Sequence, residues 1–411
     1  MSNEAESIGL TVTPSLLTPI VQKVLEDEQA EIVDFSCQSI HGGLEVASCI
    51  TRICGTASCG RKLVSWSVIL KAVAPSPRND DPQGVWYWKR EALAYKGKFL
   101  HSLPRGLAAP RCYEIVKQPG GGVWLWLEDC GEELLTRWPL EYYRVVARRL
   151  GRFNGTYLAE QCLPLEPWMT QNWLHKYVDN AAPAIEFMRR SPDHPLVQRF
   201  YSGSALAQIL IVWDERDRLL RLLDELPQTV CHQDAFRRNL FSQPERTVAI
   251  DWGYAGIAPI GAEAVPLVCG SIGFFEVPYH LAKRLDQVVF DGYVEGLRDA
   301  GWRGSRRDIR FSFVLTALLR YVIAGSIGEM FAQATAGEYS RLEAALDRSM
   351  DQVIEHSNDQ IAYYQALAVE ALRLLGVRRL AGIACRTLSK SLQRRRSNRR
   401  RHWVGDEPPS P

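Results

Sequence analysis

The stretch "VCHQDAFRRNLF", residues 230–241, sets His232, Asp234 and Asn239 between two apolar edges. Just downstream, "VAIDWG" (248–253) runs an apolar strand into another carboxylate, Asp251. The spacing makes sense as chemistry. A hydroxyl attacking a phosphoryl group needs an acceptor for its proton and a divalent cation at the phosphate oxygens. Asp234 sits on a loop where it can reach such a hydroxyl. "NLF", "SQPERT" and "VAID" read as a small hairpin whose limbs carry Asn239 and Asp251. One amide and one carboxylate suit Mg²⁺, which keeps few protein ligands and takes the rest from phosphates and water. The bland alternative is a turn built by His232 and Asp234 and capped by Asn239.

The upstream half supplies what such a site still lacks. In "SWSVILKAV", Ile69, Lys71 and Val73 share one strand face, and Trp66, Val68 and Leu70 share the other. A Lys inside an apolar strand calls for a partner. "KREALAY" offers Glu91 near the middle of the next helix, with Arg90 as the competitor that would face solvent. The alternative is a Lys snorkelling outward beside a surface Glu. "GTASCGRK" (55–62) is close to a phosphate-binding loop but lacks the required Lys after its second Gly and a following Ser or Thr. It joins two strands, so it reads as a hairpin turn.

"CHQDAFRRNLF" followed by "VAIDWGYAGIAPIG" resembles the aminoglycoside phosphotransferase and choline kinase family, small-molecule kinases with a protein-kinase-like fold. The likeness spans about residues 30 to 375. It implies that Asp234 is the catalytic base or hydroxyl-orienting residue, with His232 beside it holding the loop. It implies Asn239 and Asp251 as Mg²⁺ ligands, and Lys71 paired with Glu91 on the nucleotide phosphates. Gly42 and Gly43 fall where a nucleotide-covering loop belongs, although a plain turn reads equally well. Glu128, Asp129 and Cys130 fall at a hinge whose main chain would meet the adenine. ATP is the expected donor, with GTP left open. Gln233 stands where many relatives carry a small residue, and "DWG" forms the metal motif; both make transfer of a substrate unsafe. Arg237 and Arg238 could touch phosphate, though an acid-paired or solvated role is preferred.

The expected fold is α+β and bilobed. Strand-like runs and one inserted helix ("VWYWKREALAYKGKFL") give a five-stranded antiparallel sheet. A larger, mainly helical lobe follows, with two helical stretches between "NGTYL" and "LPQ" and a last helix from about 338 to 375. The expected divisions are a nucleotide-binding lobe (1–128), a catalytic and substrate-binding lobe (129–376) and a basic tail (377–411). Of the chain's 49 Lys and Arg, ten lie between Arg378 and Arg401, so a mildly acidic body carries a basic tail. Leu380, Ile383, Ala384, Leu388 and Leu392 would line one face of a tail helix. Such a segment could meet an anionic membrane or nucleic acid, or stay solvated. No nucleic acid is expected on the body. Ten scattered cysteines without a C-x-x-C pair, and an N-terminus without an apolar h-region, suggest a cytoplasmic protein with reduced thiols. The acceptor is a small-molecule hydroxyl of unknown identity. A second reading keeps the same fold as a catalytically silent module that binds nucleotide or a partner protein.

Overall fold

The computed structural model describes residues 12–40, 48–131, 137–160, 163–164, 166–201, 205–325, 343 and 347–374. Helix α1 (Pro14–Leu25) begins at Thr13, whose side-chain oxygen accepts from the Leu16 N–H, with Pro14 at the first helical turn. The N-terminal sheet contains β1 (Glu31–Ile40), β2 (Ser48–Cys59) and β3 (Lys62–Val73). The short β4 (Leu107–Ala108) leaves it, and β5 (Cys112–Lys117) and β6 (Val123–Glu128) complete it. The order is β1-β2-β3-β6-β5, antiparallel throughout. The "GTASCGRK" stretch is the tip of the β2–β3 hairpin, with Cys59 opposite Lys62 and Gly60 at φ 62°.

Strand β3 lies in the middle of this sheet, and its alternation decides what faces the cleft. Trp66, Val68 and Leu70 pack with Ile53, Trp126 and the α1 residues Leu17, Ile20 and Val21. Burying each such side chain contributes about 1.5–3 kcal/mol. That anchors one face of the sheet beneath α1 and leaves Lys71 on the other, opposite Leu125 of β6.

The inserted helix is shorter than expected: α2 covers only Arg90–Lys96. The residues before it are held in a loop. The Trp88 N–H donates to the Asn79 carbonyl and its indole N–H to Asp80. Beyond it, Gly97 turns extended and ends the helix.

The C-terminal part is mainly helical. Helix α3 (Leu140–Glu160) is followed by α4 (Trp173–Asp179), α5 (Ala182–Arg190), α6 (Pro195–Phe200), α7 (Ala205–Asp214) and α8 (Arg216–Asp224). Five helices thus occupy a stretch expected to hold two. Pro183 and Pro195 sit at helix starts, where their missing N–H groups do no harm but a continuous helix cannot pass. Four short strands come next: β7 (Gln228–Cys231), β8 (Leu240–Ser242), β9 (Thr247–Ala249) and β10 (Gly256–Pro259). Strand β7 pairs with β10, while β4, β9 and β8 make a three-stranded sheet. The expected hairpin is therefore present, and β4 ties it to the N-terminal part.

After α9 (Ser271–Gly273) come α10 (Ala282–Asp299) and α11 (Arg306–Ala317). The latter continues through wider π-helical turns from Leu318 to Gly325. Helix α12 (Met350–Leu374) is the described part of the expected last helix. Helices α3 and α10 approach closely because both carry glycines at the contact. A Cβ on Gly296 would lie 1.9 Å from the Arg148 carbonyl oxygen. No described helix is long and apolar enough to cross a membrane. The basic tail lies outside the described residues.

Candidate active site

Strand β3 carries Lys71 inward, and α2 presents Glu91 to it. The Lys71 ammonium lies 2.6 Å from Glu91 and 3.0 Å from Asp251 Oδ1. Both Lys71 and Glu91 are buried. Burial works against the ammonium, but the Asp251 and Glu91 carboxylates outweigh it and raise the Lys71 pKa above its ordinary value. Burial also opposes charge on Asp251, and Lys71 overcomes it, holding that carboxyl below the usual range. Lys71 thus couples the sheet to the segment after β9, two regions 180 residues apart in sequence.

Arg90 was expected at the surface. Instead it is fully buried. Its guanidinium donates to the carbonyls of Trp168, Val85, Gly253, Pro82 and Gly84, at 2.5 to 3.0 Å. Five carbonyls use all five donors of a planar fork, which a surface position could not have offered. Burial lowers its pKa to about 10, so it stays charged at neutral pH. The Gly253 contact pins the start of α2 to the turn that carries Asp251.

The other half of the site is built on the loop between β7 and β8. Strand β7 is clamped from behind by Asn154 of α3, whose amide donates to the Val230 carbonyl at 2.7 Å. Asn154 in turn accepts from the Tyr293 hydroxyl of α10 at 2.6 Å. At the end of β7 the Glu263 carboxylate accepts the His232 N–H at 2.6 Å. Burial pushes the Glu263 pKa up to about 7.

His232 is fully enclosed, and burial pushes its pKa down to about 4. The ring is therefore neutral, and its contacts assign the tautomer. Nε2 donates to the Ile250 carbonyl at 2.9 Å, and Nδ1 accepts from the Asp234 N–H at 3.2 Å. His232 thus spaces the loop bearing Asp234 from the residue that precedes Asp251. Gln233 and Asp251 both adopt left-handed backbone, at φ 66° and 62°. Such conformations in non-glycine residues concentrate at functional turns.

The Asn239 amide donates to both the carbonyl and Oδ2 of Asp234, each at 3.0 Å. Those bonds occupy the amide nitrogen and leave the amide oxygen as the group able to ligate a cation. The Ile250 N–H donates to the Asn239 carbonyl at 2.9 Å, so the two hairpin limbs are locked side by side. Asp234 also receives a charged partner, Arg320, which donates to Oδ1 at 3.2 Å.

The hinge candidates end β6. Glu128 donates its N–H to the Arg111 carbonyl and accepts the Arg111 N–H on its carboxylate, at 2.8 and 2.9 Å. Asp129 pairs with Arg52 of β2 at 2.9 Å. Burial raises the Cys130 pKa to about 12, so it is a neutral thiol. Gly42 and Gly43 lie outside the described residues. Arg237 and Arg238 both pair with Glu276, at 3.3 and 3.0 Å.

Sequence reasoning passed over Glu263 and Arg320 and misplaced Arg90. A signal existed for two of them. Arg320 interrupts "VLTALLRYVIAG" and Glu263 interrupts "APIGAEAVPL", and a lone charge in an apolar run needs a partner.

No curated protein matches the chain in sequence. Among solved structures it is similar to choline kinase from Cryptosporidium parvum Iowa II: 15% identity, TM-score 0.55, covering 90% of this chain and 99% of that one. A choline/ethanolamine kinase family protein from Mesorhizobium loti is 16% identical, with a TM-score of 0.41 over 83% of this chain and 91% of that one. An amicoumacin kinase solved with AMP-PNP, Ca²⁺ and its ligand is 14% identical, with a TM-score of 0.47 over 79% and 88%. The first of these supports the fold, a protein-kinase-like α+β arrangement. The model of the phosphotransferase enzyme family matches residues 82–305, more than half of the chain and the region that holds Glu91, Asp234, Asn239 and Asp251, and so the chain belongs to that family.

Proposed function

We propose that this protein transfers the γ-phosphate of ATP to a hydroxyl of a small molecule, with Mg²⁺. The observation that carries the reading is Lys71 bridging Glu91 and Asp251 while Asn239 holds Asp234 on the neighbouring limb. Each residue type that phosphoryl transfer needs is then present and connected. GTP remains an alternative donor.

In this reading Lys71 binds nucleotide phosphate, kept charged by its two carboxylates. Glu91 orients Lys71. Asp234 accepts a hydrogen bond from the acceptor hydroxyl, two carboxylate oxygens offering about four acceptor sites in all. The acceptor oxygen then bonds to the γ-phosphorus as the bond to the ADP oxygen breaks, and the hydroxyl proton passes to Asp234. His232 is neutral and enclosed, with its one ring proton held on Nε2 by the Ile250 carbonyl, so it supports the loop and takes no part in the proton transfer. The Asn239 amide oxygen and the Asp251 carboxylate fit a cation that takes most of its ligands from phosphates and water. Mg²⁺ held there would neutralise charge on the transferring group.

The divisions at residues 128 and 376 follow from this reading: a nucleotide lobe, then a lobe for acceptor and metal. The hinge would meet the base through main chain around Asp129, because the Glu128 N–H is already used. A cytoplasmic location suits the free thiols of the described cysteines. The basic tail is left as a segment for an anionic surface.

The test is ADP release and phosphorylated product across a broad panel of alcohols, wild type against Asp234→Asn. Loss of transfer in the variant supports the reading. Equal transfer by the variant, or none by wild type, would sink it. Nucleotide binding that ignores Mg²⁺ would instead favour the silent module.

A further inference from the structure

Arg320 sits on the π-helical continuation of α11 and is 6% exposed. It donates to the Gln233 carbonyl and to Asp234 Oδ1. Its guanidinium also lies over aromatic rings: Trp173 at 4.6 Å, Tyr321 at 5.4 Å and Phe236 at 5.6 Å. Trp173 stacks on Tyr177 at 4.6 Å and meets Tyr254 edge-on at 5.5 Å. An aromatic box therefore stands directly beside Asp234, and a cation of the protein itself fills it.

Boxes of this kind hold ammonium ligands through the negative faces of their rings. Here faces of Trp173, Phe236 and Tyr321 are engaged by Arg320. The same guanidinium offsets the Asp234 charge, which would otherwise draw a cation to the acceptor position. Both attractions that an ammonium-bearing alcohol would exploit are thus already satisfied from within the chain.

We infer, on the reading that Asp234 activates the acceptor hydroxyl, that the acceptor is a neutral or anionic alcohol and that Arg320 enforces this choice. An acceptor cation about 6 Å from the guanidinium, at an effective dielectric of about 20, is disfavoured roughly 100-fold by Arg320. An acceptor anion at that distance gains by a similar factor.

The experiment uses the full chain as wild type, Arg320→Met and Arg320→Lys. The probes are matched acceptors that differ in charge: choline against its neutral isostere 3,3-dimethylbutan-1-ol, and ethanolamine against ethylene glycol and glycolate. Two readouts run together, ADP formation and the thermal shift each probe adds to the protein saturated with Mg·ATP. Wild type is expected to favour the neutral or anionic member of each set by at least about tenfold. Arg320→Met should move the ratio toward the cation by roughly 10- to 100-fold, the latter being the full Coulomb figure. Arg320→Lys should keep the wild-type order, which a purely structural role for the residue would not require. A wild type that favours the cation overturns the inference, as does an unchanged ratio in an Arg320→Met protein that still binds Mg·ATP. Binding or transfer of no probe by a wild type that binds Mg·ATP also overturns it. Failure of wild type to bind Mg·ATP at all is a different result, and it refutes the phosphotransfer reading instead.

Discussion

Replacing Arg90 by Met tests how the two halves of the site are held together. Methionine matches the aliphatic stem of Arg90 but not its guanidinium, so the change removes the fork and leaves the space the guanidinium filled. Five carbonyls lose their donor. The bonds to Trp168 and Val85 join buried residues, and those to Gly253, Pro82 and Gly84 end on residues that are themselves partly or well exposed. Once the guanidinium is gone, water can reach those three carbonyls and replace their bonds at small cost. The two dry ones lose a charge-assisted bond worth about 1.5–3 kcal/mol each. The expected loss is therefore about 3–6 kcal/mol, a large part of the 5–15 kcal/mol typical of a folded protein. Urea denaturation followed by tryptophan fluorescence would show it as a lower midpoint. Arg90→Lys keeps the charge but offers three donors without the planar fork, so it should fall between. Where the variants stay folded, nucleotide affinity should drop as well, because Gly253 and the Asp251 turn lose their tie to α2. An Arg90→Met protein within about 1 kcal/mol of wild type would refute this account.

Asp234→Asn should lower phosphoryl transfer by about 10²–10⁴-fold, the usual range for a lost general base, while the thermal midpoint stays near that of wild type. Glu263 should make stability depend on pH: its folded pKa of about 7 lies above the ordinary 4.5, so its contribution is complete below pH 4.5 and is lost as pH rises through 7. The difference between the wild-type and Glu263→Gln stability curves should fall by up to about 3 kcal/mol across that window, and a flat difference would count against it. Tyr293→Phe removes the hydroxyl that satisfies Asn154 and accepts from the Gly261 N–H. It should cost about 1–3 kcal/mol in denaturant melts, and a neutral change would mean that water restores the network.

Much of this protein is written in local sequence. The strands of the N-terminal sheet follow from alternation in runs such as "SWSVILKAV", and the β8–β9 hairpin follows from its turn residues. The pair Asp234 and Asn239 was legible because their spacing along one loop is short. Lys71 was legible because a charge inside an apolar strand demands a partner. Helix α2 was read too long, because the contacts that unwind residues 85–89 come from Asn79 and Asp80 and are not a matter of periodicity.

Tertiary structure alone decided the rest, for one physical reason. Composition and period report where a charge sits in the chain, whereas its role depends on which groups folding brings to it from far away. Arg90 and Glu91 are neighbours on a short helix, and nothing local says which turns inward. Both do, Glu91 to Lys71 and Arg90 to a ring of carbonyls that includes Gly253, 163 residues on. Arg320 reaches Asp234 across 86 residues of sequence and offsets its charge. The sequence by itself determined where the polar residues of the site lie along the chain; the packing of α4 and of the π-helical turns after α11 decided what surrounds Asp234.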